Sequence, residues 1–287
     1  MKTAVITDSA SYLDKDLAQK YHITILPITV IFDHTEYQDG VNITSQEFLK
    51  MLAESPKLPT TSQVTMGQMQ VAFDNLISDG YDEVICVNLS SGITTFYQNL
   101  VAYSREVTGI KVYPFDSRIA SAGEADLALL AGKMALDGAN AAEILPKLEQ
   151  LRDSIHVCLV VDSLSHLQRT GRISNTSAFV GNLLKIKPIL TFDNNGKIVP
   201  FAKERTMKSA LNRIITTIQD STAKIELPIR ISVADANNPH LSETWVTALH
   251  DRFPAASIST YQISPAITVH TGEKAMGVVW DLDWMNL

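Results

Sequence analysis

Four short β-prone runs, Lys2–Thr7, Ile23–Phe32, Glu83–Leu89 and Lys111–Phe115, alternate with helical stretches through the first half of the chain. Strands interleaved with helices in this way predict a parallel sheet with helices on its faces. The helix starts are legible. Thr44 with Glu47 three residues on makes a capping-box pattern ahead of Phe48, Leu49 and Leu52. Further helices are predicted over Ile93–Glu106, Ser121–Leu136 and Ala141–Arg152, the last one disturbed by Pro146.

The character changes from His156. A strand through Val161 leads into a Gly-bearing polar stretch, Gly171-Arg172-Ile173-Ser174-Asn175-Thr176-Ser177. Beyond it, Lys187–Phe192 and Lys197–Phe201 flank Asp193-Asn194-Asn195-Gly196, and Asn-Gly between β-prone runs signals a hairpin. A helix over 206–221, a strand at Ile229–Ala234, a helix at His240–Arg252 and strands at Ser257–Ile263 and Gly277–Leu282 complete the pattern. The expected fold is therefore α/β in two lobes: a flavodoxin- or Rossmann-like parallel lobe over 1–160, and a mixed lobe with antiparallel strands over 161–287. A chain of 287 residues is long enough for two such cores.

Several chemistries are excluded. The 24 basic and 31 acidic residues are scattered without a block of five like charges, which argues against a nucleic-acid partner. Cys86 and Cys158 lie inside apolar runs without zinc or C-x-x-C spacing, and read as core residues in a reducing compartment. No apolar run suits a secretion signal or a membrane span, so the expected location is the cytoplasm. No two of the 13 glycines are separated by two positions, which rules out G-x-G-x-x-G. Gly132-Lys133 and Gly196-Lys197 are followed by Met134 and Ile198 rather than Ser or Thr, so there is no P-loop. With no G-x-S-x-G elbow and no H-E-x-x-H, no cofactor, no metal and no catalytic residue of the chain's own is expected.

In an open α/β sheet, ligands bind beyond the carboxyl ends of the strands. Here those ends are rich in hydroxyls: Thr7-Asp8-Ser9, Asn88-Leu89-Ser90-Ser91, Asp116-Ser117, the loop Pro59-Thr60-Thr61-Ser62-Gln63, and Thr94-Thr95. Two readings stay open. Each residue caps a neighbouring helix, the commonest role at such points, or several converge on one carboxylate or polyol head group. A polyphosphate would call for Lys or Arg instead.

With these strand ends in view, nearly the whole chain resembles the DegV family. The resemblance rests on Thr7-Asp8-Ser9, Pro59-Thr60-Thr61-Ser62-Gln63, Ser90-Ser91 with Tyr97-Gln98, Gly171-Arg172-Ile173-Ser174, Lys187-Pro188-Ile189-Leu190, Glu204-Arg205, and His270-x-Gly272 with Gly277. It implies a DegV-like two-lobed fold with an apolar tunnel between the lobes. The implied function is binding of a long-chain fatty acid and its presentation to a separate ATP-dependent fatty-acid kinase, with transient membrane contact during exchange. The chain itself would be a non-catalytic bacterial subunit. The carboxylate-holding residues fall on Thr61, Thr94 and His270, with Ser62, Thr95, Thr271 and Gly272 beside them. Arg172 and Arg205 match family positions tied to the kinase encounter and phosphoryl transfer. Thr95 and Phe96 depart from the family's Gly and Thr, and Glu273-Lys274 from its Pro-Gly. The fold is also similar to the substrate domain of dihydroxyacetone kinases, where a histidine binds a carbonyl; this leaves a subunit or enzyme for a small polyol or ketone as the alternative.

Overall fold

The structure is a computed structural model in which residues 1–55, 57–173 and 186–287 are described. The first lobe runs β1 (Thr3–Asp8), α1 (Lys15–Lys20), β2 (Ile23–Leu26), β3 (Thr29–Phe32), β4 (Thr35–Gln38), α2 (Ser45–Glu54), β5 (Thr60–Ser62), α3 (Met66–Ser78), β6 (Glu83–Asn88), α4 (Phe96–Tyr103), β7 (Lys111–Asp116), α5 (Ala122–Leu136) and α6 (Ala141–Arg152). Strands β2-β1-β6-β7 form an all-parallel sheet in that order. Its strand order reverses between β1 and β6, which opens a crevice at their carboxyl ends. Every residue of β1 and of β6 is buried, because helices cover both faces. The Thr44 capping box forms as expected, and Thr65 with Gln68 makes a second one at the start of α3.

One strand expectation needs correction. Ile23–Phe32 is two strands in two sheets, parted at Pro27: β2 closes the parallel sheet, whereas β3 joins the antiparallel sheet β4-β3-β5. Proline has no N–H for a ladder, so the run cannot continue through it. Likewise the helix expected from Ile93 begins only at Phe96, leaving 90–95 as a loop.

The second lobe continues with β8 (His156–Val160), α7 (Ser165–Arg169), β9 (Lys187–Phe192), β10 (Ile198–Glu204), α8 (Met207–Thr222), β11 (Ile229–Asp235), α9 (Pro239–Arg252), β12 (Ser257–Gln262), α10 (Pro265–Thr271) and β13 (Met276–Leu282). Its six-stranded sheet has the order β10-β9-β8-β13-β11-β12 and is mixed, with only β11 and β12 parallel. The predicted β9–β10 hairpin is present, its turn held by Asp193 accepting from the N–H groups of Asn195 and Lys197. β8 hydrogen-bonds to β9 and β13 inside this sheet, so a division drawn by sheet membership falls before His156 rather than after Val160. Of the polar stretch 171–177, the residues from Ser174 on lie outside the described part of the chain.

One face of this sheet packs Cys158, Val160, Val233, Val278 and Trp280 against Ile214 and Ile218 of α8 and Trp245 of α9. Its other face turns toward the first lobe. Between the two sits α5, buried at every residue from Ala122 to Gly132, and such all-round burial marks a helix at the centre of a molecule. Both thiols are buried and unpaired, and burial pushes their ionisation up. Among the described residues no helix is long and apolar enough to cross a membrane.

Candidate functional site

A cavity of about 340 Å³ lies between the lobes, within the roughly 300–1,000 Å³ usual for small-molecule pockets. The first lobe supplies Tyr12 after β1, Leu89, Ile93 and Thr94 after β6, and Ala120 and Ser121 ahead of α5. The three-stranded sheet adds Thr61, Ser62 and Gln63. The second lobe contributes Val157, Leu159, Phe192, Ile198, Ala234, Gly277 and Val279 from its sheet. Ala266, Ile267, His270 and Thr271 of α10 close the wall. Most of this lining is hydrocarbon, and its polar side chains include Thr61, Ser62, Gln63, Thr94, Arg172 and His270.

Thr61 Oγ1 and His270 Nε2 are 2.9 Å apart. Thr61 is placed by the pairing of β5 with β3, opposite Val30. His270 is placed by α10, whose Ala266 and Val269 are buried in the core of the first lobe although the helix comes from the chain's last quarter. Burial, then the charge of Arg172, then His166 pull the His270 imidazole down from its ordinary 6.5 to about 4, so the ring is neutral at neutral pH. Its other nitrogen, Nδ1, is buried and has no hydrogen-bond partner among the described residues. Gln63 is the third anchor: its Oε1 accepts from Thr94 Oγ1 at 3.0 Å and from Thr95 Oγ1 at 3.3 Å.

Of the site residues expected from sequence, Thr61, Ser62, Thr94, His270 and Thr271 line the cavity, and Thr95 stands outside the wall on an exposed position. Gly272 is not in the wall either. It ends α10 at φ +79°, and a Cβ there would come within 3.2 Å of the His166 ring. The two arginines separate. Arg172 is half-buried in the cavity wall, its Nη1 donating to the Thr170 carbonyl at 3.4 Å, whereas Arg205 is exposed just past β10.

The remaining strand-end hydroxyls do structural work. Asp8 accepts from the N–H groups of Ala10 and Leu89, Ser91 donates to Asp116, and Ser117 donates to the Ile119 carbonyl. Ser90 donates to the Gly196 carbonyl at 2.7 Å, and so ties the loop after β6 to the β9–β10 hairpin of the other lobe. Sequence reasoning did not single out Gln63 or Tyr12 as site residues. Gln63 closes the hydroxyl-rich loop Pro59-Thr60-Thr61-Ser62-Gln63. Tyr12 carried no signal, because its φ of +57° and its position under the lobe junction exist only in the fold. No group of three or more His, Cys, Asp or Glu side chains suited to a metal occurs among the described residues.

Fold and site together define a two-lobed α/β protein built around a mostly apolar cavity with a hydrogen-bonded Thr–His pair in its wall. The profile of the DegV family, described as an uncharacterised protein family, matches residues 2–283, and the chain belongs to that family. Protein DegV of Bacillus subtilis is 36% identical over 281 residues, covering 98% of this chain and 99% of that one. The crystal structure of DegV from Bacillus subtilis, named there a fatty acid binding protein, superposes with a TM-score of 0.90 at 35% identity, covering 98% of this chain and 99% of that one. A fatty acid binding DegV family protein from Streptococcus agalactiae gives a TM-score of 0.90 at 30% identity, with 98% and 99% covered.

Proposed function

We propose that this protein binds one long-chain fatty acid, with its hydrocarbon tail in the interlobe cavity and its carboxylate at Thr61, Thr94 and His270. The observation that carries this reading is a mostly apolar cavity whose wall holds the hydrogen-bonded Thr61–His270 pair with the Arg172 charge acting on it. A carboxylate oxygen that accepts from the Thr61 hydroxyl and from the imidazole N–H would replace one hydrogen bond with two. Arg172, whose charge is felt at His270, offsets the negative head group in a half-buried setting where screening is weak. Each methylene removed from water contributes about 0.8 kcal/mol, so about 15 of them give ~12 kcal/mol gross, against ~1–3 kcal/mol for head-group hydrogen bonds. Tail burial therefore sets affinity and the polar end sets orientation. The related structures named above as fatty acid binding proteins support the same ligand class. A small polyol would leave most of the hydrocarbon wall against water, which disfavours the alternative.

The chain has neither a P-loop nor a G-x-G-x-x-G fingerprint, and on this reading phosphorylation of the bound carboxylate would fall to a separate ATP-using kinase docking where the head group is reachable. Mass analysis of an organic extract of natively purified protein, with titration of a fluorescent fatty acid, tests the ligand. About one acyl chain per protein is expected, and absence of both acyl mass and titratable binding would overturn the reading.

A further inference from the structure

A second cavity, of about 460 Å³, lies back to back with the first. The first lobe lines it with Leu13, Lys15, Ile25 and Asp39, and the second lobe with Gln262 and Ser264. Two stretches of chain part the cavities. Pro27 lines the second and its neighbour Ile28 the first, and at the β12–α10 junction Ser264 and Pro265 line the second whereas Ile263 and Ala266 line the first. Only Tyr12 lines both, so its side chain completes the partition. Tyr12 follows the 3-10 turn Ser9–Ser11 after β1, at φ 57° and ψ 20°. A bulky L-residue keeps this left-handed conformation only where its surroundings hold it there. Packing holds it: the ring lies against the buried cluster that includes Leu164, Ala234 and Ile263, and the hydroxyl lies at the backbone of Ser264.

Helix α10 fixes how far from the Thr61–His270 pair this partition stands. Ala266, Ile267, His270 and Thr271 all line the first cavity, the one-face spacing of a helix lying lengthwise along it. Ser264, beside the Tyr12 hydroxyl, precedes His270 by six residues, about 9 Å at 1.5 Å per residue. An extended chain advances roughly 1.2 Å per bond, so it passes Tyr12 about seven or eight bonds from a carboxylate held at His270. On the reading that the ligand is a fatty acid, on which this inference rests, we propose that the Tyr12 ring sets the width of the acyl chain at that point. It admits a straight chain and excludes a bulky group near the chain's middle; without the ring the two cavities join and such a group gains room.

The test is calorimetric titration of wild-type protein, Tyr12→Phe and Tyr12→Ala with stearic acid and with stearic acids carrying the bulky doxyl ring at carbon 7, 10 or 16, beside thermal unfolding of each ligand-free protein. The wild type is expected to bind the acids substituted at carbons 7 and 10 at least tenfold more weakly than stearic acid, ~1.4 kcal/mol. Tyr12→Phe, which keeps the ring, should keep that exclusion. Tyr12→Ala should recover most of the loss at carbon 7 or 10 and less than about twofold at carbon 16. Tyr12→Leu, shorter but still apolar, carries the test if the alanine variant melts early. A wild type that binds the ring-bearing acids as tightly as stearic acid, no recovery at either mid-chain position, or equal recovery at all three would overturn the inference while leaving fatty-acid binding standing. Failure of the wild type to bind stearic acid would instead overturn the functional reading and this inference with it.

Discussion

Thr61 and His270 stand 209 residues apart in sequence, yet their side chains approach to 2.9 Å. The contact joins the short antiparallel sheet of the first lobe to a helix that connects β12 and β13, two strands of the second lobe's sheet. Nothing local to either residue favours it. It exists because α10 buries Ala266 and Val269 in the first lobe's core and presents His270 at the cavity's edge.

Removing that pair should cost ligand more than fold. Thr61→Val keeps the shape of the side chain and deletes its hydroxyl, so fatty-acid affinity should fall by ~1–3 kcal/mol while Thr61→Ser restores most of it. Direct binding titrations of the two variants check this. Equal weakening by valine and serine would show that shape, not the hydroxyl, matters.

His270 also predicts an acid limb in stability. Its folded pKa of about 4 lies below its ordinary 6.5, so the unfolded chain binds the proton more readily. Stability from this group is complete above pH 6.5 and is lost as pH falls through the window toward 4, by up to about 3 kcal/mol. Melting curves of ligand-free His270→Gln should show a flatter pH dependence across that interval than the wild type.

Asp39 works with the opposite sign. Burial lifts its carboxyl from 3.8 to about 6, with Ser9 and the Ala266 N–H as hydrogen-bond donors that partly offset the rise. The folded state holds this proton more tightly, so the contribution is present below pH 3.8 and lost as pH rises through 6. Asp39→Asn should therefore be more stable than wild type at pH 7.5, by up to about 3 kcal/mol, and lose that advantage near pH 4. Denaturant unfolding at the two pH values reads the difference.

The lobe junction should be intolerant of a single methyl at Gly92. A Cβ there would lie 2.3 Å from the Gly196 carbonyl carbon and oxygen, in the turn that Ser90 already holds. Backbone cannot yield as a flexible side chain does, so Gly92→Ala should destabilise the protein by at least ~1–3 kcal/mol. Gly138→Ala is the contrast: Gly138, unlike Gly92, has a positive φ of +89°, but a Cβ there meets nothing within 4 Å, so the change should cost only about 1 kcal/mol. Urea midpoints compare the two.

The arginines should divide by location. Arg172→Ala is expected to weaken a fatty acid by ~1–2 kcal/mol and the corresponding fatty alcohol hardly at all, because only the acid loses a nearby cation. Arg205→Ala should leave fatty-acid affinity within about twofold yet lower acyl-phosphate formation by a cognate kinase at least tenfold, ~1.4 kcal/mol of barrier. Binding and phosphorylation measured side by side decide whether either residue has the other's role.

Much of the scaffold is written locally. Strand-like and helical patterns, the Thr44 capping box and the Asn-Gly turn act over a few residues; they place β1, β6, β7, the start of α2 and β9 within a residue or two of where they stand, while β10 runs three residues past its expected end at Phe201. The hydroxyl motifs mark the strand ends around the cavity but do not separate hydroxyls that close a loop from those that line the cavity wall, because Ser91 at Asp116 and Thr94 at Gln63 have the same local chemistry. That separation depends on which loops the two sheets bring together. The same holds for Arg172 in the cavity wall and for the split of 23–32 between two sheets at Pro27. Each follows from contacts between segments far apart in the chain, where tertiary packing rather than local propensity determines the free energy.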